Sequence, residues 1–176
     1  MILTGDEIKR KVQEGTIVIE DFSEERLGPN SYNLRLGPEL MVYREVILDP
    51  KRENRTRKII IPPEGLVLDA WKLYLGRTME YTATDAYVPM LEGRSSWGRL
   101  GLFVHVSAGF GDIGFSGNWT LEIIPSRRIR IYPGMEIAQI YYHTPEGNTA
   151  MMYNGKYQGS RDVVASRIFE ERERWK

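Results

Sequence analysis

Three observations predict a mainly β protein of the sandwich, jelly-roll or barrel kind. Short runs rich in β-branched and aromatic residues recur along the 176 residues. Turn pairs such as Gly28-Pro29, Gly37-Pro38, Asp49-Pro50, Pro62-Pro63 and Pro133-Gly134 separate them at short intervals. Clear helical patterning is confined to the first fifteen residues. Closely punctuated short strands belong to closed or stacked antiparallel sheets, whereas βαβ units need a long helix between strands.

Each element has a local reason. Thr4-Gly5-Asp6-Glu7 fits a capping box, with Thr4 as N-cap and Glu7 three residues on. Ile8, Lys11 and Val12 continue at helical spacing, and Gly15 supplies a left-handed stop. Strands are then expected over 16–20, 31–36, 40–48, 58–61, 66–69, 74–82 and 86–91, and further on over 102–106, 118–124, 128–132 and 136–143. No internal repeat is visible. From Met151 the chain is Gly-rich and polar before Phe169 and a charged, helix-compatible end, a tail expected to move unless something orders it.

Composition narrows the chemistry. The length suits a single domain spanning 1–176 with a real core. Lysine plus arginine equals aspartate plus glutamate at 24 each, so no net field favours nucleic acid or an anionic membrane. The locally basic Lys51–Lys58 stretch reads as a solvated loop. With no cysteine, there is no thiolate nucleophile, disulfide or cysteine-held zinc. The two histidines, His105 and His143, sit in no zinc-binding pattern, which closes the zinc-hydroxide route to deamination. His105, inside Leu102–Val106, reads as a hydrogen-bonded core histidine. Without an apolar run of membrane-spanning length or a signal-peptide core, a soluble, cytoplasmic protein is expected.

The segment from Gly93 to Gly101 carries the chemistry. Arg94 and Arg99 offer forked donors to phosphate oxygens, while Ser95 and Ser96 add hydroxyls. Ser95 can also cap a short helix whose free N–H groups face an anion; a solvated turn is the alternative for an isolated motif of this kind. Downstream, Glu122 ends the run Trp119-Thr120-Leu121-Glu122, where apolar neighbours at both parities suggest a strand covered on both faces. Asp112 beside glycines is either a functional carboxylate or a turn residue satisfied by its own backbone. Gln139 lies within an apolar run and needs a polar partner.

Together, Arg94-Ser95-Ser96-x-Gly98-Arg99-Leu100-Gly101, Ala108-Gly109, Asp112-x-Gly114-Phe115-x-Gly117, Leu121-Glu122, Pro133-Gly134-Met135 and Lys156-Tyr157-Gln158-Gly159 resemble the dCTP deaminase family of the dUTPase-like superfamily. The N-terminal Met1–Ile8 and Ser31–Gly37 stretches extend the likeness over nearly the whole chain. The resemblance implies a distorted jelly roll or β-barrel with an N-terminal helix. It also implies a homotrimer with active sites between subunits, and a flexible tail over about 151–176 that closes on the nucleotide. It further implies dCTP and dUTP as ligands, magnesium carried by the triphosphate, no zinc and no direct metal ligand. The activity implied is zinc-free deamination of dCTP, in the supply of deoxyuridine nucleotides for thymidylate.

By the same resemblance, Glu122 falls on the catalytic acid and base. Arg94, Ser95, Ser96 and Arg99 fall on the phosphate and water-positioning motif, with a carbonyl near Ala108 helping to orient the water. Asp112 would orient a second water that attacks the phosphate chain, and Phe115 would pack on the deoxyribose, as in the dUMP-forming branch. Gln139, Tyr153, Lys156 and Gln158 would contact the nucleotide or close the tail. The chain departs from the family pattern at Asn33, in the short loop after Glu122, at Ile123-Ile124-Pro125 and at Ser160; these positions bear on base contacts and tail closure. A dUTP diphosphatase lacking deamination, or a non-catalytic regulatory trimer, would keep the phosphate grip without needing Glu122.

Overall fold

The computed structural model describes residues 1–175. Helix α1 (Gly5–Gln13) begins where the capping box places it: Thr4 accepts the backbone N–H of Glu7 through its hydroxyl at 3.3 Å. Ile8 is fully buried beneath it, and Gly15 takes the left-handed conformation at φ 76°. Eleven strands follow: β1 (Ile17–Ile19), β2 (Tyr32–Arg35), β3 (Glu39–Tyr43), β4 (Thr56–Ile60), β5 (Leu66–Leu68), β6 (Tyr74–Thr84), β7 (Val88–Gly93), β8 (Leu102–Val104), β9 (Ser116–Pro125), β10 (Ile129–Ile131) and β11 (Glu136–His143). A short helix α2 (Ser95–Arg99) separates β7 from β8, and a 3-10 segment (Ile168–Trp175) ends the described chain. Among the described residues no helix is long and apolar enough to cross a membrane.

The fold is mainly β, in three antiparallel sheets packed around one main cluster of buried side chains, with a smaller cluster of Met41, Leu75 and Val163 beside the tail. The largest sheet runs β4-β3-β6-β9-β8, with β1 added to β6; β2-β11-β7 and β10-β5 form the other two. Leu34, Leu40, Leu91, Leu121, Ile123 and Ile140 are fully excluded from water and come from both larger sheets, so the sheets share their inner faces. Buried Tyr32 and Leu34 alternate with Asn33 and Arg35 along β2, and Ala138, Ile140 and Tyr142 alternate with less buried residues along β11 after its bulge, the period-two pattern of half-buried strands.

Two local expectations differ from the structure. The strand expected to reach residue 48 stops at Tyr43, and Val46, Ile47 and Leu48 project into solvent. The chain turns there because Asn54 and Asp49 lock a loop: Asn54 donates to the Asp49 carbonyl and accepts from its N–H, each at 2.9 Å. Ser95 is the first residue of α2 rather than its cap; Arg94 occupies that place in extended geometry, without a side-chain capping bond.

Strand β6 carries the feature that joins the sheets. Its register against β9 shifts between Arg77 and Tyr81, so that Thr78, Met79 and Glu80 stand opposite the single residue Trp119. Side chains satisfy what the broken ladder leaves open. Asn118 donates to the carbonyls of Thr78 and Met79 at 3.0 Å each, and Thr78 Oγ1 accepts the N–H of Trp119 at 3.0 Å. The Glu80 side chain is wholly buried and accepts from Arg35 of β2, through its backbone N–H at 2.9 Å and its Nε at 2.6 Å.

Breaking a buried ion pair leaves the remaining charge without compensation. Arg35→Ala is therefore expected to lower stability by about 3 kcal/mol, read as a shift in the urea unfolding midpoint. An unchanged midpoint would remove the pair from the forces that hold the two sheets together.

Candidate active site

A cavity of about 500 Å³ opens between the β6–β9 region, the segment after β8 and the C-terminal tail. Glu122, Asp112, Phe115, Ala108 and Tyr153, five of the residues singled out in the sequence, line it. Strand β9 supplies most of the wall. It buries Leu121 and Ile123 on its core face, which the half-buried Trp119 shares, and leaves Thr120 and Glu122 half covered on the other. The double coverage expected for this strand is thus complete on one face and partial on the other.

His105, expected as a core histidine, is buried beside Glu122. β8 pairs with β9 through Val104 and Ile123, and the chain continues so that the His105 N–H donates to the Glu122 carbonyl at 3.1 Å. This register brings His105 Nδ1 to 2.6 Å from Glu122 Oε2. The histidine is buried, as expected of a core residue, but the approach lacks the alignment of a hydrogen bond. Both ring nitrogens and Glu122 Oε2 stay unsatisfied among the described residues. Its backbone sits at φ 52°, a left-handed conformation that costs a non-glycine residue roughly 1 kcal/mol or more. Unsatisfied polar atoms and backbone strain collected at one carboxylate are common marks of a functional site.

The Asp112 turn lies across the cavity wall. Phe115 N–H donates to the Asp112 carbonyl at 3.2 Å, and Gly114 takes φ 87°. It is the carbonyl that closes the turn, and no described residue hydrogen-bonds or ion-pairs with the Asp112 carboxylate; the self-satisfied turn residue is not what forms. Phe115 is buried against Trp119, ring centroids 4.3 Å apart, and meets Tyr153 edge-on at 5.8 Å.

The tail is ordered by pairing with the body of the protein. Gln158 accepts from Ser116 N–H at 3.0 Å and donates to the Gly114 carbonyl at 2.7 Å. Gly159 N–H donates to Ser116, and Asn118 N–H to Ser160, so residues 158–160 run along the free edge of β9. Val163 is buried against Met41 and Leu75. Tyr153, Tyr157, Ser160 and Val164 thereby line the cavity from the tail side. Lys156 does not line it. Its ammonium pairs with Glu171, whose carboxyl it holds below the ordinary carboxylate range by hydrogen bonding.

The phosphate-type motif lies elsewhere on the chain. Ser95, Ser96 and Arg99 are exposed on α2, with Arg99 donating to the Ser95 hydroxyl at 3.2 Å. Arg94 pairs with the Glu136 carboxylate at 2.8 Å. None of these four lines the cavity, and neither does Gln139, which sits on the face of β11 opposite the buried Ala138 and Ile140. Leu100, Phe103, Val106 and Phe110 are exposed, and Phe110 lines the cavity.

This mainly β architecture is shared with a solved enzyme structure, the 2′-deoxycytidine 5′-triphosphate deaminase from Agrobacterium tumefaciens. The TM-score is 0.65 at 23% identity, over 82% of this chain and 48% of that one. The chain belongs to the dCTP deaminase-like family, whose model matches residues 2–144. Among its relatives, the dCTP deaminase, dUMP-forming, of Hathewaya histolytica is 58% identical over 97% of this chain and 99% of its own. Those of Clostridium acetobutylicum and Cytophaga hutchinsonii, carrying the same name, are each 57% identical, over 97% and 99% of this chain and 98% and 100% of theirs. These alignments take in the tail, which the family model leaves outside.

Proposed function

We propose that this chain converts dCTP to dUMP in two hydrolytic steps, deamination at cytosine C4 and cleavage of the phosphate chain. The observation that carries the proposal is that Glu122 and Asp112, two carboxylates of different surroundings, line one cavity together with Phe115. The near-full-length relatives named dCTP deaminase, dUMP-forming, support it.

In the first step water adds to C4 and the C4–N bond breaks. Glu122 passes one proton of the attacking water to ring N3 and the other to the departing ammonia, which leaves a carbonyl at C4. His105 stands against the same carboxylate. Ala108, with Ser95 and Arg99, orients the water. In the second step a water held by Asp112 attacks the α-phosphorus, and diphosphate leaves. Phe115 packs on the deoxyribose, where an added hydroxyl would crowd it.

Magnesium enters with the triphosphate. The donors assigned to the phosphates, Arg94, Ser95, Ser96, Arg99 and Lys156, are cations and hydroxyls, suited to phosphate oxygens rather than to a divalent ion. Among the described residues no group of three or more His, Cys, Asp or Glu is placed to hold a metal. The ion's ligands would then be phosphate oxygens and water. Lys156 must leave Glu171 to reach a phosphate. Gln139 contributes near the nucleotide, and Tyr153 and Gln158 hold the tail over it. Deoxynucleotide substrates suit a cytoplasmic enzyme.

The separation of Ser95 and Arg99 from the Glu122 cavity supports a homotrimer in which one subunit lends α2 to its neighbour's cavity. The exposed Leu100, Phe103, Val106 and Phe110 would become buried at that junction.

Three outcomes test this. Glu122→Gln lowers ammonia release from dCTP by roughly 10²–10⁴-fold while nucleotide binding persists; release within a few-fold of the parent would sink the assignment. Asp112→Asn releases ammonia but accumulates dUTP, as followed by chromatography of dCTP, dUTP and dUMP; continued dUMP formation would free Asp112 of its role. Mixing inactive Glu122→Gln and Arg99→Ala chains, after subunit exchange, restores activity by assembling intact hybrid sites. No recovery from exchanged trimers would place Arg99 and Glu122 in one subunit's site.

A further inference from the structure

Trp119 belongs to none of the roles above, yet it packs against residues on both sides of Asp112. It is the single residue of β9 opposite the three-residue bulge of β6, so its N–H is taken by Thr78 Oγ1 rather than by a ladder carbonyl. Its indole Nε1–H donates to Thr82 Oγ1 at 2.7 Å, and Thr82 is buried and does not line the cavity. One bond at the backbone and one at the ring fix the indole plane.

That plane reaches both ends of the Asp112 turn. Its ring lies 4.3 Å from the Phe115 ring, tilted by 45°. Its far edge closes over Gly111, the residue before Asp112. A Cβ on Gly111 would lie 2.5 Å from Trp119 Cη2 and 2.8 Å from the Pro89 carbonyl oxygen, to which Gly111 already donates its N–H. The glycine is therefore seated between β7 and the indole. Residues 111 and 115, which bracket Asp112, both rest on one side chain.

We propose that Trp119 is a positioning residue for the phosphate-cleaving step: it sets the Gly111–Phe115 turn, and with it the Asp112 carboxylate, against the bound phosphate chain. This rests on the assignment of Asp112 to the second water. Trp119 moves no proton and forms no bond; it acts through the turn it supports. Displacing a reacting group by about 1 Å commonly costs on the order of a hundredfold, so partial loss of the support should favour escape of the intermediate dUTP over its cleavage.

The test compares the parent, Trp119→Phe and Thr82→Val, each supplied with dCTP or with dUTP and magnesium, and measures ammonia, dUTP, dUMP and diphosphate. Trp119→Phe keeps an aromatic ring but loses the Gly111 contact and the indole hydrogen bond. Thr82→Val removes only the anchor, from outside the cavity, and serves if the first variant folds poorly. Both are expected to raise the dUTP to dUMP ratio from dCTP by about tenfold, and to slow cleavage of supplied dUTP more than ammonia release. A ratio unchanged in Thr82→Val, or parallel loss of both reactions in folded Trp119→Phe, overturns the proposal and leaves the assignment of Asp112 intact. A parent that makes no dUMP, or Asp112→Asn that still makes it, overturns the assignment itself and this inference with it.

Discussion

A carboxylate buried in a strand bulge is the constraint on which the rest of this structure depends. Glu80 can be wholly removed from water only because β2 delivers Arg35 to it, and β2 belongs to the other sheet. The bulge then obliges Asn118 and Thr78 to satisfy backbone groups that the ladder has abandoned. These bonds set where β9 runs, and β9 carries Trp119, Thr120 and Glu122 into the cavity. Sheet alignment and site geometry thus share one polar junction, with buried leucines and isoleucines supplying the bulk of the cohesion around it.

Much of the fold was legible because its signals are local. The α1 cap rests on residues three apart, and most strands announce themselves by alternation and by the turns at their ends. What was not legible depends on partners far along the chain. Val46, Ile47 and Leu48 have strand-forming side chains, but nothing in the run reveals that the Asp49–Asn54 loop denies them a neighbour. Arg35 and Glu80 are ordinary charges forty-five residues apart until the fold brings them together.

The site divides in the same way. Motif residues identify Glu122, Asp112 and Phe115, and the cavity gathers these three; Ser95 and Arg99 carry an equally plain motif, but one chain leaves them outside. His105 was visible as a polar residue in an apolar strand, a signal equally compatible with a core role. Only the β8–β9 register shows that burial and contact with Glu122 are the same fact. The place of Trp119 has no mark in the sequence, because the bulge opposite it has no sequence signature.

The tail's attachment to β9 has a consequence beyond closure. Residues 158–160 occupy backbone donors and acceptors of Ser116 and Asn118 that β8, which pairs only from Ile123 onward, leaves open. Without residues 158–160, β9 would present an unpaired strand edge beside Phe115, Trp119 and the apolar cavity wall. Such an edge is a template for foreign strands. The pairing of the tail therefore shields the protein against edge-to-edge aggregation as well as walling the cavity.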